Sequence, residues 1–294
     1  MINADRLAKK ASRLRLSAIT LAENMRSGSF KSLYRGQGIE FSGVREYLPF
    51  DNVRSIDWNV TARMGKAFIK QYEEDRELSV FLILDCSRSM EGVFSSKTKL
   101  SQAQESAALL LLASLHNSGA TGAVFFDGKI QLSLAPKSGK ENAMTLLSKL
   151  DKIDSPDTER TNGSALPNAI QGAEKLLKKR SLVFILSDFR TTDWEKPFAR
   201  LAQKNDVIAI KITSPEDEKL PETGTLPLVD PETKKNGIFP ALSKRFQTEW
   251  REAERNRREY FKNFCTKHGS YPLLLSTDED AAQVLSRFFK QKSR

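Results

Sequence analysis

The sequence predicts an α/β fold with a mostly parallel sheet flanked by helices. Short, uninterrupted apolar runs such as FLILD at 81–85 and LVFIL at 182–186 are typical of strands that are covered on both faces. Between these runs lie longer segments whose apolar residues recur at helical spacing. Strands that alternate with helices indicate right-handed crossovers, and therefore a sheet whose strands run mostly parallel.

Each predicted element follows from a local pattern. Apolar runs predict strands at 78–85, 181–189, 206–213 and 271–277. Helical spacing predicts helices near 99–116, 140–151, 194–204 and 241–267, with a further helix after the polar loop near 161. The Asp127-Gly128 pair lies between two stretches of alternating residues, which indicates a β-hairpin.

The chain divides by pattern into two predicted parts. Residues 1–77 form an N-terminal helix and a β-rich module, and residues 78–294 form the main α/β domain. The helix is expected within 1–30, where an apolar stripe that includes Leu16 and Leu21 should dock on the main domain. Glycines and aromatic residues in 34–78 favour short strands and turns over helix. Five prolines mark an excursion at 214–240, within which VDPETKKNG should make a turn.

Composition indicates a water-soluble globular protein. The hydrophobic content of 39% and charged content of 29% are ordinary for that class and do not separate enzymes from binding modules. The first twenty residues lack a long uncharged core, so they resemble neither a secretory signal nor a membrane span. Two cysteines, Cys86 and Cys265, are too few for a disulfide framework. A cytoplasmic location is therefore expected.

The formal charge of +10 raises the question of nucleic acid or anionic membrane as a partner. The basic stretch at 176–181 is short, and the one at 252–262 is interleaved with glutamates at helical spacing, as on a solvated helix face. No recognisable nucleic-acid module accompanies them, so specific nucleic-acid binding is not expected. Weak peripheral contact with an anionic membrane surface stays open.

Oxygen-bearing side chains follow the predicted strands. Asp85, Ser87 and Ser89 come after the first apolar run, Ser187 and Asp188 end the second, and a hydroxyl-rich loop at 161–164 lies between them. The carboxyl ends of parallel strands share one edge of a sheet, where ligands usually bind. Carboxylates and hydroxyls without histidine or thiolate suit Mg²⁺ or Mn²⁺. The alternative interpretation is that these residues only cap helices.

These motifs resemble those of a known family. DCSRS at 85–89 resembles the DxSxS motif of von Willebrand factor A domains, while Thr161 and Asp188 match that family's second-loop threonine and third-loop aspartate. The flanking segments at 36–63 and 219–235 resemble the bacterial branch called domain of unknown function 58. The resemblance implies a Rossmann-like von Willebrand factor A fold. It also implies a metal site with the ligands Asp85, Ser87, Ser89, Thr161 and Asp188.

The resemblance carries an expected function. Such proteins often accompany MoxR-type AAA+ ATPases in chaperone-like assembly or maturation of other proteins. If hydroxyls bind the ion directly and a carboxylate acts through water, the ion keeps an open position that an Asp or Glu of a partner protein can fill. The chain is therefore expected to be a non-enzymatic, metal-dependent adaptor.

Competing functions are a metal-dependent hydrolase, a nucleic-acid binder and a structural interaction domain with a degenerate metal site. A nucleophilic Ser87 would need a base, yet the two histidines, His116 and His268, lie at predicted helix ends. A phosphatase that uses Asp85 would need an acid two residues later, where Ser87 stands.

Asp57 and Trp58, with arginines nearby, form another candidate patch. They are interpreted as an internal acid–arginine network and an aromatic anchor that joins the N-terminal module to the main sheet.

Overall fold

The computed structural model describes residues 16–25, 35–49, 51–75, 79–91, 97–154, 161, 163–217, 226–229, 236–239 and 243–291. The strands in these ranges are β1 Arg35–Glu46, β2 Phe68–Asp75, β3 Val80–Asp85, β4 Thr121–Phe126, β5 Ile130–Lys137, β6 Leu182–Ser187, β7 Asp206–Thr213, β8 Leu226–Val229, β9 Asn236–Phe239 and β10 Tyr271–Ser276. The helices are α1 16–25, α2 Trp58–Met64, α3 Lys99–His116, α4 Lys140–Asp151, α5 Leu166–Leu176, α6 Glu195–Lys204, α7 Lys244–Lys267 and α8 Ala281–Gln291.

Six strands form the main sheet in the order β10-β7-β6-β3-β4-β5. All neighbours pair in parallel except β4 and β5, which are antiparallel and meet at the predicted Asp127-Gly128 hairpin. This sheet confirms the predicted fold class, a Rossmann-like and mostly parallel sheet flanked by helices. The predicted strands and helices from residue 78 to 277 coincide with observed elements to within a few residues.

The sheet separates two apolar cores. Every residue of β3, β4 and β6 is buried, because helices cover both faces of these central strands. Side chains alternate along a strand. In β3, Leu82 and Leu84 therefore pack in the core formed with α1, α3, α4 and α8. Phe81 and Ile83 pack in the other core, with α5, α6 and α7. Burial on both faces explains why these strands read as continuous apolar runs.

Helix α1 docks on the first core, as predicted, and Leu21 of the predicted stripe is buried there. Its buried side chains are Ala18, Leu21, Ala22 and Met25, whereas Leu16 is 66% exposed. Leu16 was therefore wrongly placed in the docking stripe. Small alanines at helical spacing, which a search for large apolar residues overlooks, let the helix approach the core closely. The rest of the helix predicted within 1–30 lies outside the described residues.

The segment from Arg35 to Asp75 contains a two-stranded antiparallel sheet, with a 3₁₀ turn, Val53–Ser55, and a short α-helix, α2, between its strands. This helix was not predicted. It begins at Asp57, whose side chain accepts hydrogen bonds from the backbone N–H groups of Asn59 and Val60. It ends at Gly65, which adopts φ 70° in the left-handed region. An aspartate and a glycine eight residues apart were the signals that the strand-and-turn interpretation missed.

The predicted roles of the aromatic and acidic residues in this segment are only partly met. Trp58 is 68% exposed, so its assignment as an aromatic anchor between the N-terminal module and the main sheet is wrong. Asp57 serves as the cap of α2, with Lys70 at 4.0 Å. An acid–arginine pair does form between Asp51 and Arg45, whose two guanidinium nitrogens each donate to a carboxylate oxygen at 2.7 Å.

Two features follow β7. Strands β8 and β9 pair in an antiparallel manner, as the turn predicted in the excursion requires, although residues 230–235 between them lie outside the described residues. Helix α8 follows β10, the strand that was predicted to close the domain. This helix was not predicted from the sequence. It buries Leu285 and Phe289, so it belongs to the first core.

Candidate metal site at the carboxyl edge of the sheet

Two strand ends meet at the centre of the sheet. β3 and β6 are parallel neighbours in which Leu84 is opposite Leu186, so the next residues, Asp85 and Ser187, lie side by side. The hydroxyl of Ser187 donates a 2.6 Å hydrogen bond to Oδ2 of Asp85. The sequence predicted that these ends converge, but Ser187 was not among the five proposed ligands. Its position directly after an apolar run was the available signal.

The loop after β3 folds back on its own aspartate. The backbone N–H of Ser87 donates to Oδ1 of Asp85 at 2.9 Å, and a short 3₁₀ turn, Arg88–Glu91, follows. This turn brings the Ser89 hydroxyl to 3.1 Å from that of Ser87. Ser87 is fully buried, and Ser89 is partly exposed. Three of the predicted ligands, Asp85, Ser87 and Ser89, therefore lie close together.

The loop after β6 turns sharply immediately beyond Asp188. Phe189 has φ 52°, a left-handed conformation that is costly for a bulky residue. Its backbone N–H donates to the Ser187 hydroxyl at 3.0 Å. Its ring contacts Trp194 and Phe261, with centroid distances of 5.1 and 4.8 Å. Packing of the aromatic side chain thus stabilises the backbone turn that follows Asp188.

Asp188 is buried but incompletely bonded. Its Oδ1 accepts a 3.2 Å hydrogen bond from the backbone N–H of Arg190, whereas its Oδ2 has no hydrogen-bond donor among the described residues. A buried carboxylate oxygen without a partner costs free energy, so such an atom in a cluster of oxygens marks a place for a ligand. The orphaned oxygen fits a hard cation or the water that such a cation carries.

The two carboxylates influence each other electrostatically. Burial, together with the negative charge of Asp188, raises the pKa of Asp85 to about 7, although hydrogen bonds from Ser187 and Ser87 oppose that rise. A positive charge bound between the carboxylates would relieve the repulsion. The hydroxyl and carboxylate oxygens present here are of the kind that Mg²⁺ and Mn²⁺ prefer.

Thr161 is held one strand further along the same edge. Its backbone N–H and hydroxyl donate to the two carboxylate oxygens of Asp127, at 2.9 and 2.6 Å. Asp127 follows Phe126, which pairs with Asp85 across β3 and β4. The second loop is therefore fastened beside the first, and the lone pairs of the Thr161 hydroxyl stay available as acceptors. The role of Thr161 as a metal ligand stays a prediction.

Charged side chains that the sequence did not predict surround Asp188, and two of them, Lys99 and Lys211, are buried. The Lys99 ammonium lies 3.9 Å from Oδ2 of Asp188 and 2.9 Å from Oδ1 of Asp217. Arg190 contacts the same two acids, at 4.0 and 2.7 Å, and Lys211 donates a 2.7 Å hydrogen bond to the backbone carbonyl of Asp188. A lysine within the apolar run DVIAIKIT was a usable signal, because a buried lysine needs a partner.

These charges extend the polar cluster toward α7. Burial opposes ionisation of Asp217, but the charges of Lys99 and Arg190 prevail and hold the pKa of Asp217 below its usual range. Glu254 of α7, which is also buried, lies 3.7 Å from Arg190.

Within the described part of the chain, no three His, Cys, Asp or Glu side chains form a group that could hold a metal ion. Serine or threonine hydroxyls would have to complete any metal site here.

Residues 43–260 match the family described as protein of unknown function DUF58. The chain belongs to the DUF58 family. Its similarity to the uncharacterized protein Rv1480 of Mycobacterium tuberculosis is 28% identity over 299 residues, covering 100% of this chain and 92% of that protein. The DUF58 match includes Asp85, Thr161 and Asp188, so the family covers the whole candidate site.

Two solved structures resemble this DUF58 chain at low identity. The conserved hypothetical protein BatB of Bacteroides thetaiotaomicron is 14% identical, with a TM-score of 0.46, over 74% of this chain and 98% of that chain. An aerotolerance-related membrane protein of Bacteroides fragilis is 12% identical, with the same TM-score and the same coverage. In the ranges of this DUF58 chain that the structure describes, no helix is both long enough and apolar enough to cross a bilayer.

Proposed function

We propose that this DUF58 protein is a non-enzymatic adaptor whose carboxyl-edge site binds Mg²⁺ or Mn²⁺ and, through the ion, another protein. Asp85, Ser87, Ser89, Thr161 and Asp188 would hold the ion, with the Ser187 hydroxyl orienting Asp85. The observation that carries the proposal is the buried Oδ2 of Asp188, which has no donor among the described residues. The ion would supply a concentrated positive charge with an unfilled coordination position.

The positions of the histidines support a binding role over a hydrolytic one. Lys99 begins α3 beside Asp188, and His116 is the last residue of the same helix, about 25 Å away at 1.5 Å per residue. His268 caps the end of α7, shortly before β10 begins, and so lies toward the opposite edge of the sheet. The Ser87 hydroxyl has the Ser89 hydroxyl and the Asp85 carboxylate beside it, and neither histidine is among these neighbours.

A protein carboxylate is the proposed occupant of the open position. A carboxylate is a hard anionic ligand that Mg²⁺ and Mn²⁺ bind well. Resemblance to DUF58 proteins that accompany MoxR-type AAA+ ATPases makes such an ATPase, or its client, the proposed partner. The setting would be the cytoplasm, and the process chaperone-like assembly or maturation of other proteins.

One observation favours a second candidate function. The Lys99 ammonium is already 3.9 Å from Oδ2 of Asp188 and is buried. In a structural interaction domain with a degenerate site, this built-in charge would replace the metal. That alternative predicts partner binding that does not depend on divalent ions.

Calorimetric titration with MgCl₂ and MnCl₂ tests the proposal. We expect weak binding to the wild type and no measurable binding to an Asp85→Ala, Asp188→Ala double variant that stays folded. Asp278→Asn is the matched control, because Asp278 is an exposed acid just beyond β10 at the same edge. Equal heats from the wild type and the double variant would contradict the metal assignment.

The partner is tested by co-purification from cell extract in Mg²⁺ and in EDTA, with the wild type and Ser87→Ala. A metal–carboxylate contact should need the ion even at moderate salt, whereas simple charge attraction should weaken as salt rises. Equal retention of the partner in all four conditions would favour the degenerate-site alternative. Ester or phosphoester hydrolysis that disappears in folded Ser87→Ala would favour the metal-dependent hydrolase.

A further inference from the structure

A buried lysine, Lys99, and a partly exposed arginine, Arg190, lie between two buried acids, Asp188 and Asp217, beside the candidate site. The Lys99 ammonium is 2.9 Å from Oδ1 of Asp217 but 3.9 Å from Oδ2 of Asp188. Arg190 shows the same preference, since it is 2.7 Å from Oδ1 of Asp217 and 4.0 Å from Oδ2 of Asp188. Both cations thus bond to Asp217 and leave the nearer oxygen of Asp188 without a hydrogen bond.

Asp217 is itself fixed in place by the backbone around it. It ends a 3₁₀ turn, Pro215–Asp217, just after β7, and its Oδ2 accepts a 2.9 Å hydrogen bond from the backbone N–H of Ser214. Its backbone carbonyl accepts a 2.9 Å hydrogen bond from the indole of Trp250 in α7. An acid bonded in this way from both sides can hold a lysine side chain at a defined position.

We propose that Asp217 is a positioning residue that holds Lys99 and Arg190 away from Asp188, so that Oδ2 of Asp188 stays free for a divalent cation. The inference rests on the proposed function, because it concerns the same metal site. Asp217 does not itself bind the ion. It acts by giving the two cations a better partner than Asp188.

The physical reason is a competition between two positive charges for one carboxylate. Without the charge of Asp217, the nearest acid to Lys99 is Asp188, and a shift of about 1 Å brings the ammonium to hydrogen-bond distance. At an effective dielectric constant of about 20, that approach strengthens the Lys99–Asp188 attraction enough to weaken metal binding about tenfold. Glu254 also attracts Arg190, at 3.7 Å, so Lys99 is the stronger competitor.

The remaining cation of the cluster does not enter this competition. Lys211 donates to the backbone carbonyl of Asp188, and its ammonium lies 5.8 Å from the centre of the Phe261 ring. It therefore supports the loop without occupying the carboxylate. The Asp217 effect should accordingly depend on Lys99, which makes it separable from a general structural role.

A double-mutant cycle measured by Mg²⁺ calorimetry tests the inference. Asp217→Asn keeps the side-chain shape and should weaken Mg²⁺ binding about tenfold. Lys99→Met removes the competitor and should tighten binding several-fold. In the Lys99→Met background, Asp217→Asn should change Mg²⁺ affinity by no more than about twofold. An equal loss in both backgrounds would mean that Asp217 acts only through structure, and the inference would be wrong.

Controls separate the inference from the proposed function. Asp278→Asn should leave Mg²⁺ affinity unchanged, and thermal unfolding in EDTA should verify that each variant is folded. If the wild type binds no Mg²⁺, the metal site itself is wrong and the inference fails with it. If the wild type binds and Asp217→Asn binds equally well, only the inference is wrong. If Asp217→Asn does not fold, the Mg²⁺ affinity of Lys99→Met tests the inference by itself. An affinity equal to or weaker than that of the wild type would contradict the competition between Lys99 and the metal ion.

Discussion

Asp85 and Asp127 lie at the carboxyl ends of neighbouring strands but have opposite surroundings. Asp85 ends β3, and Asp127 follows Phe126, the residue of β4 that pairs with Asp85. Both carboxylates are almost fully buried. Fold position alone therefore does not determine what an aspartate at this edge does.

The difference lies in how many donors each carboxylate receives. Asp127 accepts four hydrogen bonds of 2.6–2.9 Å, two from Thr161 and one each from Lys129 and Gln131. Burial alone would raise its pKa, but these bonds prevail and hold the pKa of Asp127 below its usual range. For Asp85, burial and the charge of a second acid, Asp188, outweigh the hydrogen bonds from Ser87 and Ser187 and raise the pKa to about 7. The fully bonded carboxylate organises loops, whereas the repelled one is suited to a cation.

The largest expected effect comes from removing the fully bonded carboxylate. Asp127→Ala removes the acceptor of four part-buried hydrogen bonds, from Thr161, Lys129 and Gln131, and the free energy of unfolding should fall by about 3 kcal/mol. Urea denaturation in EDTA measures it. Asp278→Ala, at an exposed position, should change stability by less than about 0.5 kcal/mol. A similarly small effect of Asp127→Ala would remove the contrast between the two aspartates.

The pH dependence of stability should show the two aspartates acting in opposite directions. The folded-state pKa of Asp85 is raised, so its contribution is fully present below the unfolded value near 4 and is lost as pH rises toward about 7. The loss in EDTA should be about 1.4 kcal/mol for each unit by which the folded-state pKa exceeds the unfolded one. The folded-state pKa of Asp127 is lowered, so its contribution is present above about 4 and is lost as pH falls.

Asp85→Asn separates these contributions. The variant should flatten the stability profile between pH 4 and 7 in EDTA and make the protein more stable than the wild type at pH 8. The loss of stability below pH 4 should persist, because Asp127 is unchanged. Added Mg²⁺ should raise the stability of the wild type at pH 8 and not that of the variant. A wild-type profile that is level from pH 4 to 8 in EDTA would contradict the assigned repulsion.

The sequence predicts the sheet well because its signals are strong and local. Buried strands such as β3 and β6 require continuous apolar runs, and the Asp127-Gly128 turn fixes the β4–β5 hairpin. The same logic placed Asp85 and Ser187 at one edge, since parallel neighbours end together. Helix α2 was missed because its seven residues carry no apolar stripe, and only Asp57 and Gly65 mark its ends.

The surroundings of the site could not be predicted because they depend on contacts distant in sequence. Lys99 meets Asp217 across 118 positions, and Ser187 meets Asp85 across 102. The spacing of apolar residues along the sequence does not indicate which distant side chains will pair. Trp58 shows the reverse error, since a large aromatic residue suggests burial while the structure exposes it. The partner of Thr161 was also missed because it is distant in sequence. Asp127 lies 34 positions before Thr161 and was interpreted only as a turn residue.

The smallest expected effects come from removing one hydroxyl beside each aspartate. Ser187→Ala takes one of two donors from Asp85, and Thr161→Val takes one of four from Asp127. Each should cost about 1 kcal/mol of unfolding free energy in EDTA. Loss of a bond to the charged form raises a carboxyl pKa, so Ser187→Ala should move the fall in stability that ends near pH 7 to higher pH. Thr161→Val should leave that part of the profile in place and weaken protection only at the acid end. Profiles that shift alike in both variants would show that the two carboxylates are not distinguished by how completely they are bonded.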